Sequence, residues 1–345
     1  MLVVYWICIL FIIFIYTSLS LQDVPLGDVF VSYEYVFGPV LFRHIGSALG
    51  INNVPSGVCS YSCSYCRFGR SLRLSIDRRP YSSPERIVGE ARNMLTKDID
   101  VDCIVFFASG EPTLDTGIKS IVDTIKSKFG MSLGIVTNSS LLWRHDVVHD
   151  LLLFDVVVLK IDTVVEDTWR LINRPHRSLS LDDILCGIET FSKLYMGTLI
   201  TETTLLRKIN TSDEELIELA EFLRKINPST SYISTPPQLV VERWVRQPTE
   251  EELVFAQDML ASKLGADKVS VLRAPEIEKF DVRGDAKEYL LSILNVHPLE
   301  LERSIAILSM EYDDPISVLR ELADMRAVKI VSREGRKFVV RYWES

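Results

Sequence analysis

Short, continuous apolar runs alternate with amphipathic stretches along most of this chain. A continuous run fits a strand buried on both faces of a parallel sheet. A stretch of helical period fits the helix that covers such a sheet. The runs fall at 49–54, 103–107, 132–136, 154–159, 197–206 and 232–235. Helical patterns occupy 83–95, 115–129, 181–194 and 210–225, with a further one at 249–264 that leads to an apolar run at 268–272. Ser83-Pro84-Glu85 supplies a helix start: an N-cap, a proline at the first position and an acid in the first turn. Strand and helix in this order, with short loops, predict an α/β fold of six β/α units in an open partial barrel. Closing the barrel would take two further units, which the sequence does not supply.

The pattern changes toward both ends. Residues 273–284 read as a linker. Helical stretches at 286–294, 298–310 and 315–325 then precede two strand-like runs at 328–332 and 337–342, joined by Arg333-Glu334-Gly335-Arg336. Three helices and a hairpin predict a small winged-helix-like domain over 285–345, after a barrel domain spanning 23–272. A DNA reader would carry basic residues on its third helix. Here Asp314, Glu321 and Asp324 alternate with Arg320 and Arg326, and only the wing is basic, through Arg333, Arg336, Lys337 and Arg341. A protein-contact or substrate-docking module is at least as well supported. Upstream, Gly38-Pro39 marks a turn and His44 reads as a structural residue ahead of the first strand. Residues 1–22 are apolar and about long enough to cross a bilayer, which takes roughly 20 residues. The first basic residue is Arg43, so the flanking charge of a signal peptide or anchor is missing. A membrane anchor and a dispensable extension remain equal readings.

Composition narrows the chemistry. The net charge of −9 argues against a protein that coats nucleic acid, while leaving room for a local basic groove. Of six cysteines, Cys8 lies in the apolar N-terminal segment, and Cys103 and Cys186 read as small buried hydrophobes. Cys59, Cys63 and Cys66 stand together as Cys-x3-Cys-x2-Cys. Three thiols this close do not make a disulfide framework. Soft thiolates at short spacing suit an iron–sulfur cluster or zinc. Structural zinc wants four protein ligands, and no fourth Cys or His stands at finger spacing. Three thiolates and one vacancy suit a [4Fe–4S] cluster with one open iron. The cysteine usage fits a reducing compartment and a cytoplasmic catalytic domain.

Cys59-Ser-Tyr-Ser-Cys63-Ser-Tyr-Cys66, with Tyr65 just before the last cysteine, resembles the signature of the radical S-adenosylmethionine (SAM) superfamily. The resemblance implies a TIM-like partial barrel and a cluster held by those three cysteines. SAM would be chelated at the open iron and cleaved by one electron to a 5′-deoxyadenosyl radical that takes hydrogen from a substrate. A small electron donor of ferredoxin or flavodoxin type is implied as partner. Gly110-Glu111-Pro112 would bind the SAM amino group, the glycine by allowing close backbone approach and an oxygen by accepting from the ammonium. Asn138 would meet the ribose hydroxyls, or else forms a turn. Thr235, with the two prolines after it, would close the SAM pocket.

Lys160 and Asp162, just past an apolar strand, would sit at the barrel rim where chemistry gathers, or in a solvated loop. Arg174 and His176 would bind an anionic substrate or act as acid–base groups, or cap the next helix. Glu202 needs a partner if it points inward. The Ile172-Asn173-Arg174-Pro175-His176 segment is similar to a branch of Fe–S oxidoreductases related to the wyosine-forming tRNA enzymes. Those carry extra cysteines for a second cluster, and only Cys8 lies upstream here. An unassigned substrate, RNA or protein among the options, is therefore preferred to tRNA modification. Activation of a glycyl-radical partner comes third. A redox-sensing Fe–S regulator that binds DNA is the alternative from another class, disfavoured by the mixed charge of the third C-terminal helix.

Overall fold

The structure is a computed structural model that describes residues 34–345, apart from 43–44, 97–100, 238, 241, 273–276, 283, 334 and 343–345. The apolar segment 1–22 and His44 lie outside the described residues. In chain order the first strands are β1 (Val36–Phe42), β2 (Gly46–Ile51), and the short β3 (Val58–Cys59) and β4 (Arg73–Leu74). β5 (Cys103–Phe106), β6 (Ser132–Thr137), β7 (Val156–Lys160), β8 (Thr198–Thr204), β9 (Thr230–Ser234), β10 (Val269–Val271) and β11 (Ile277–Phe280) follow. Between them run α1 (Pro84–Leu95), α2 (Ile118–Phe129), α3 (His145–Leu151), α4 (Glu166–Asn173), α5 (Leu181–Leu194), α6 (Asp213–Ile226) and α7 (Glu250–Leu264).

Nine of these strands form one sheet in the order β10-β9-β8-β7-β6-β5-β2-β1-β11. Every pairing from β2 to β10 is parallel, and β1 and β11 add antiparallel. The result is a partial TIM-like barrel. Caps hold its helices, and the one at Ser83 is the start the sequence anticipates. Ser83 accepts from the Arg86 amide, Ser212 from the Glu215 amide, and Thr249 and Glu252 form a reciprocal capping box.

Three expectations shift. The first parallel strand lies at Gly46–Ile51, earlier than its apolar run suggests, and the run at 268–272 contributes a further parallel strand, β10. Gly38-Pro39 is not a turn between elements. It sits inside β1, where the pairing register with β2 slips between Phe37 and Val40. Gly38 has φ +107°, and a Cβ there would stand 3.1 Å from the Ala48 carbonyl oxygen, so glycine is required. Within 273–284, expected as a linker, β11 pairs with β1 at the sheet edge, Val40 opposite Phe280.

The two faces of the sheet bury different partners. Leu49, Ile51, Ile104, Phe106, Leu133 and Ile135 pack against helix residues such as Ile87, Ile118, Ile121 and Ile125. On the opposite face Phe37, Val40, Ala48, Cys103 and Val105 meet α8 (Ala286–Leu294) of the C-terminal region. That region continues through β12 (Leu299–Glu300), α9 (Leu301–Leu308), α10 (Pro315–Asp324), β13 (Val328–Arg333) and β14 (Arg336–Arg341). Its small antiparallel sheet runs β12-β14-β13. The Tyr289 hydroxyl in α8 donates to the Pro39 carbonyl at 2.7 Å. The C-terminal module thus shares a core with the inner side of the first strands. Among the described residues no helix is long and apolar enough to cross a membrane.

That shared core can be tested. Leu290 is fully buried where α8 meets the sheet. Leu290→Ala is expected to destabilise the protein by about 2–5 kcal/mol. In denaturant titration followed by circular dichroism the midpoint of the barrel transition should fall. An unmoved barrel transition would mean that the two parts are energetically separate.

Candidate active site

The cysteine loop follows β2 and has little regular structure of its own, so its backbone groups need partners from elsewhere. One set comes from the turn after β5. The Gly110 amide donates to the Val54 carbonyl at 3.2 Å and the Glu111 amide to the Val58 carbonyl at 3.1 Å. A Cβ on Gly110 would fall 2.1 Å from the Val58 carbonyl oxygen, so only glycine permits this approach. A second set closes the loop on itself. β3 pairs with β4, the Cys66 amide donates to the Cys63 carbonyl, and the Gly69 amide to the Cys66 carbonyl. The third set is the segment after α4. The Ser62 amide donates to the Asn173 carbonyl at 2.9 Å and the Ser64 amide to the Ile172 carbonyl at 2.7 Å. In return the His176 amide donates to the Ser60 carbonyl at 2.9 Å.

Cys59, Cys63 and Cys66 line one cavity at the C-terminal ends of the parallel strands. Gly110, Glu111, Pro112, Asn138, Lys160, Asp162 and Thr235 line it too. Arg174 and His176 do not. Arg174 caps α4 in the left-handed region, φ 46°, and its guanidinium turns to Glu242 at 2.6 Å, which Arg70 also contacts at 3.2 Å. The segment that carries Arg174 and His176 supplies backbone partners to the cysteine loop and so splints it.

The other site residues are held by specific partners. Glu111 is buried, and both carboxylate oxygens accept hydrogen bonds. Oε1 accepts from the Thr113 amide, the Thr113 hydroxyl and the Thr137 hydroxyl at 3.1, 2.6 and 2.6 Å, and Oε2 accepts from the Asn138 amide at 2.8 Å. Burial pushes its carboxyl above the usual range, against the downward pull of those donors. Asp162 accepts from the Tyr65 hydroxyl at 2.5 Å, the Asn173 side-chain amide at 2.7 Å and the Thr204 backbone amide at 2.9 Å. It joins the cysteine loop to α4 and β8. Glu202 has the partner its burial demands: Lys160 Nζ at 2.8 Å, with the Ser234 hydroxyl donating at 2.7 Å.

Two side chains that the sequence did not mark reach the sulfurs or their neighbours. Asn173 Nδ2 stands 3.4 Å from Cys63 Sγ. Ser60, bonded to Ser140 at 2.5 Å, accepts from Asn138 Nδ2 at 2.9 Å, and the same nitrogen stands 3.5 Å from Cys59 Sγ. Only adjacency to the cysteine loop or to Arg174 could have pointed to either.

The donor set fits a cluster. All three thiols are free, and burial pushes each upward, Cys59 to about 12 with the Glu111 carboxylate adding to the rise. A metal centre seated among them would favour their thiolate forms. A polynuclear cluster binds each thiolate at a different iron, and amide N–H groups aimed at its sulfurs are a familiar feature of such sites.

The structure is thus a parallel partial barrel with a three-cysteine loop at its strand ends. The radical SAM superfamily pattern matches residues 53–223. A UPF0026 protein of Methanocaldococcus jannaschii is 40% identical over 268 residues, 77% of this chain and 83% of that one. The GTPase Obg of Brachyspira hyodysenteriae is 28% identical over 295 residues, 85% of this chain and 43% of that protein. A radical SAM methyltransferase from Sphaerobacter thermophilus shares the fold, with a TM-score of 0.50 at 15% identity over 66% of this chain and 67% of that one. This chain is a radical SAM enzyme and belongs to the UPF0026 family. Enzymes of the superfamily use a [4Fe–4S] cluster and SAM.

Gly110→Ala separates packing from generic substitution effects. It is expected to displace the cysteine loop and sharply lower the iron and sulfide retained after anaerobic reconstitution. Gly89→Ala, where a Cβ meets nothing within 4 Å, should retain both. Equal iron content in the two variants would refute the close-approach argument.

Proposed function

We propose that this enzyme cleaves SAM reductively at a cluster held by Cys59, Cys63 and Cys66, and passes the radical to a substrate seated in the same cavity. The observation that carries the reading is the convergence of those cysteines with Gly110-Glu111-Pro112, Asn138 and Thr235 around one opening. When bound, the cluster and SAM supply a 5′-deoxyadenosyl radical able to abstract hydrogen.

The chain's own residues bind and orient. Glu111 keeps an open acceptor position on Oε2, so the SAM amino group would be met there or by backbone carbonyls of the 108–110 turn. Glu111 also fixes that turn and aligns Asn138. Asn138 and Thr235 face the cavity where the nucleoside would lie. Asp162 holds Tyr65 and Asn173 and so sets the orientation of the loop. Lys160 and Glu202 present a charged pair to the substrate, with Lys160 Nζ 5.9 Å from the centre of the Tyr65 ring. Tyr61 and Trp169, joined by a 3.0 Å hydrogen bond, wall the cavity against water. The electron comes from a small donor protein, and the work belongs in reducing cytoplasm.

The test is anaerobic reconstitution, chemical reduction, addition of SAM and chromatographic measurement of 5′-deoxyadenosine. Wild type should form it and Cys63→Ala should not. No product from wild type, or undiminished product from Cys63→Ala, overturns the reading. Glu111→Gln places an amide donor against other donors. Losing charged hydrogen bonds costs about 1.5–3 kcal/mol, so product formation should fall about tenfold or more. An unchanged rate would remove Glu111 from the positioning of SAM.

A further inference from the structure

Asn173 closes α4, and both its main chain and its side chain meet the cysteine loop. Its carbonyl accepts from the Ser62 amide at 2.9 Å. Its side-chain Nδ2 stands 3.4 Å from Cys63 Sγ and 2.7 Å from Asp162 Oδ2. One amide nitrogen carries two hydrogens, so it can donate to both. An ionised carboxylate only accepts, so Asp162 decides that the nitrogen of this amide, not its oxygen, lies on the sulfur side. Asp162 is fixed in turn by the Tyr65 hydroxyl at 2.5 Å and the Thr204 backbone amide at 2.9 Å. Asn173, Asp162 and Thr204 are all buried. A donor is thus locked against one particular sulfur.

The charge around Cys63 gives that donor its weight. Burial does most to disfavour negative charge on this sulfur, the Asp162 carboxylate adds to it, and the Asn173 amide acts against both. The Cys59 and Cys66 thiols are pulled down by backbone amides, those of Tyr61 and Ser60 for one and of Phe68 and Gly69 for the other. Hydrogen bonds to sulfur are among the terms that set the potential of an iron–sulfur cluster. A reduced cluster carries one more negative charge than an oxidised one, part of it on the sulfurs. A donor therefore favours the reduced form more, and a low local dielectric enlarges the difference. Without the Asn173 amide, Cys63 would keep the nearby carboxylate and lose the group that offsets it.

We propose that Asn173 raises the reduction potential of the cluster on Cys59, Cys63 and Cys66, and so helps decide which donor proteins can reduce it. The proposal rests on the cluster reading of the site. The step concerned moves one electron from the reduced donor protein to the cluster. The donor is oxidised by one electron, the cluster gains it, and no bond is made or broken. Asn173 is a positioning residue in this step, acting through the Cys63 sulfur.

Full-length wild type, Asn173→Leu, Asn173→Ala and Val245→Ala are reconstituted anaerobically and assayed for iron and sulfide. Each is then titrated with dithionite in the presence of redox mediators and without SAM, and the reduced cluster is followed by electron paramagnetic resonance. The Asn173 variants should keep their iron and reduce at a lower potential than wild type. An electron-transfer equilibrium about tenfold less favourable corresponds to a shift of about 59 mV for one electron. Val245→Ala opens the small core that Val245 shares with Tyr65 and Ile172, against which Cys63 packs, yet removes no donor. It should titrate with wild type, whereas a merely structural effect would move it too. A loaded Asn173 variant that titrates with wild type overturns the proposal. So does an equal shift in Val245→Ala, or loss of iron from both Asn173 variants. If one Asn173 variant fails to load, the other decides. Wild type that retains no iron overturns the cluster reading itself, so the two failures are read separately.

Discussion

A loop that must present three buried thiols cannot also satisfy its own backbone, and the rest of this structure is arranged around that constraint. The amides and carbonyls of residues 54–64 are met from two sides. The turn after β5 approaches so closely that Gly110 has no room for a side chain, and residues 172–176 run alongside as a short splint. Each neighbour rises from a parallel strand or the helix that follows it. The sheet order therefore decides where the loop is clamped. Asp162 and Glu111 are the polar counterparts of that clamp. Each is a buried carboxylate whose desolvation is offset by donors from different elements, Tyr65, Asn173 and Thr204 for one, Thr113, Thr137 and Asn138 for the other.

Much of this was legible along the chain. Parallel strands buried on both faces read as plain apolar runs, and the cap at Ser83 acts over three residues, so local reading finds both. The cysteines and Gly110-Glu111-Pro112 were legible because their spacing is itself the signal. What local reading missed depends on partners distant in sequence. Gly38-Pro39 looks like any turn until β2 pairs across it, and Ile277–Phe280 looks like linker until β1 offers an edge. The same holds in the site. Arg174 and His176 carry side chains that suggest chemistry, and their main-chain bonds to the cysteine loop had no local signal. Asn173, given no role of its own in that segment, reaches Cys63. Local sequence left open whether a carboxylate or a carbonyl of Gly110-Glu111-Pro112 would meet an ammonium, and only the positions of Thr113, Thr137 and Asn138 show how the Glu111 oxygens are engaged.

The C-terminal module gains its place from the opposite face of the sheet. Its third helix, α10, carries mixed charge, and the apolar side of α8 packs with Phe37, Ala48 and Val105. Val296, just past α8, reaches the cavity that holds the cysteines. The module therefore forms part of the enzyme's interior, and the hairpin it carries is held close to the strand ends.

An open barrel has two free margins, and exposed strand edges invite unwanted pairing between molecules. Here one margin ends in β10, three residues long, and the other in β11, four residues long and drawn from the stretch that looked least like structure. Edges this short offer a neighbouring chain little to extend. The opening that admits a substrate thus carries little risk of self-association through the sheet, and the barrel can stay open without aggregating along its edges.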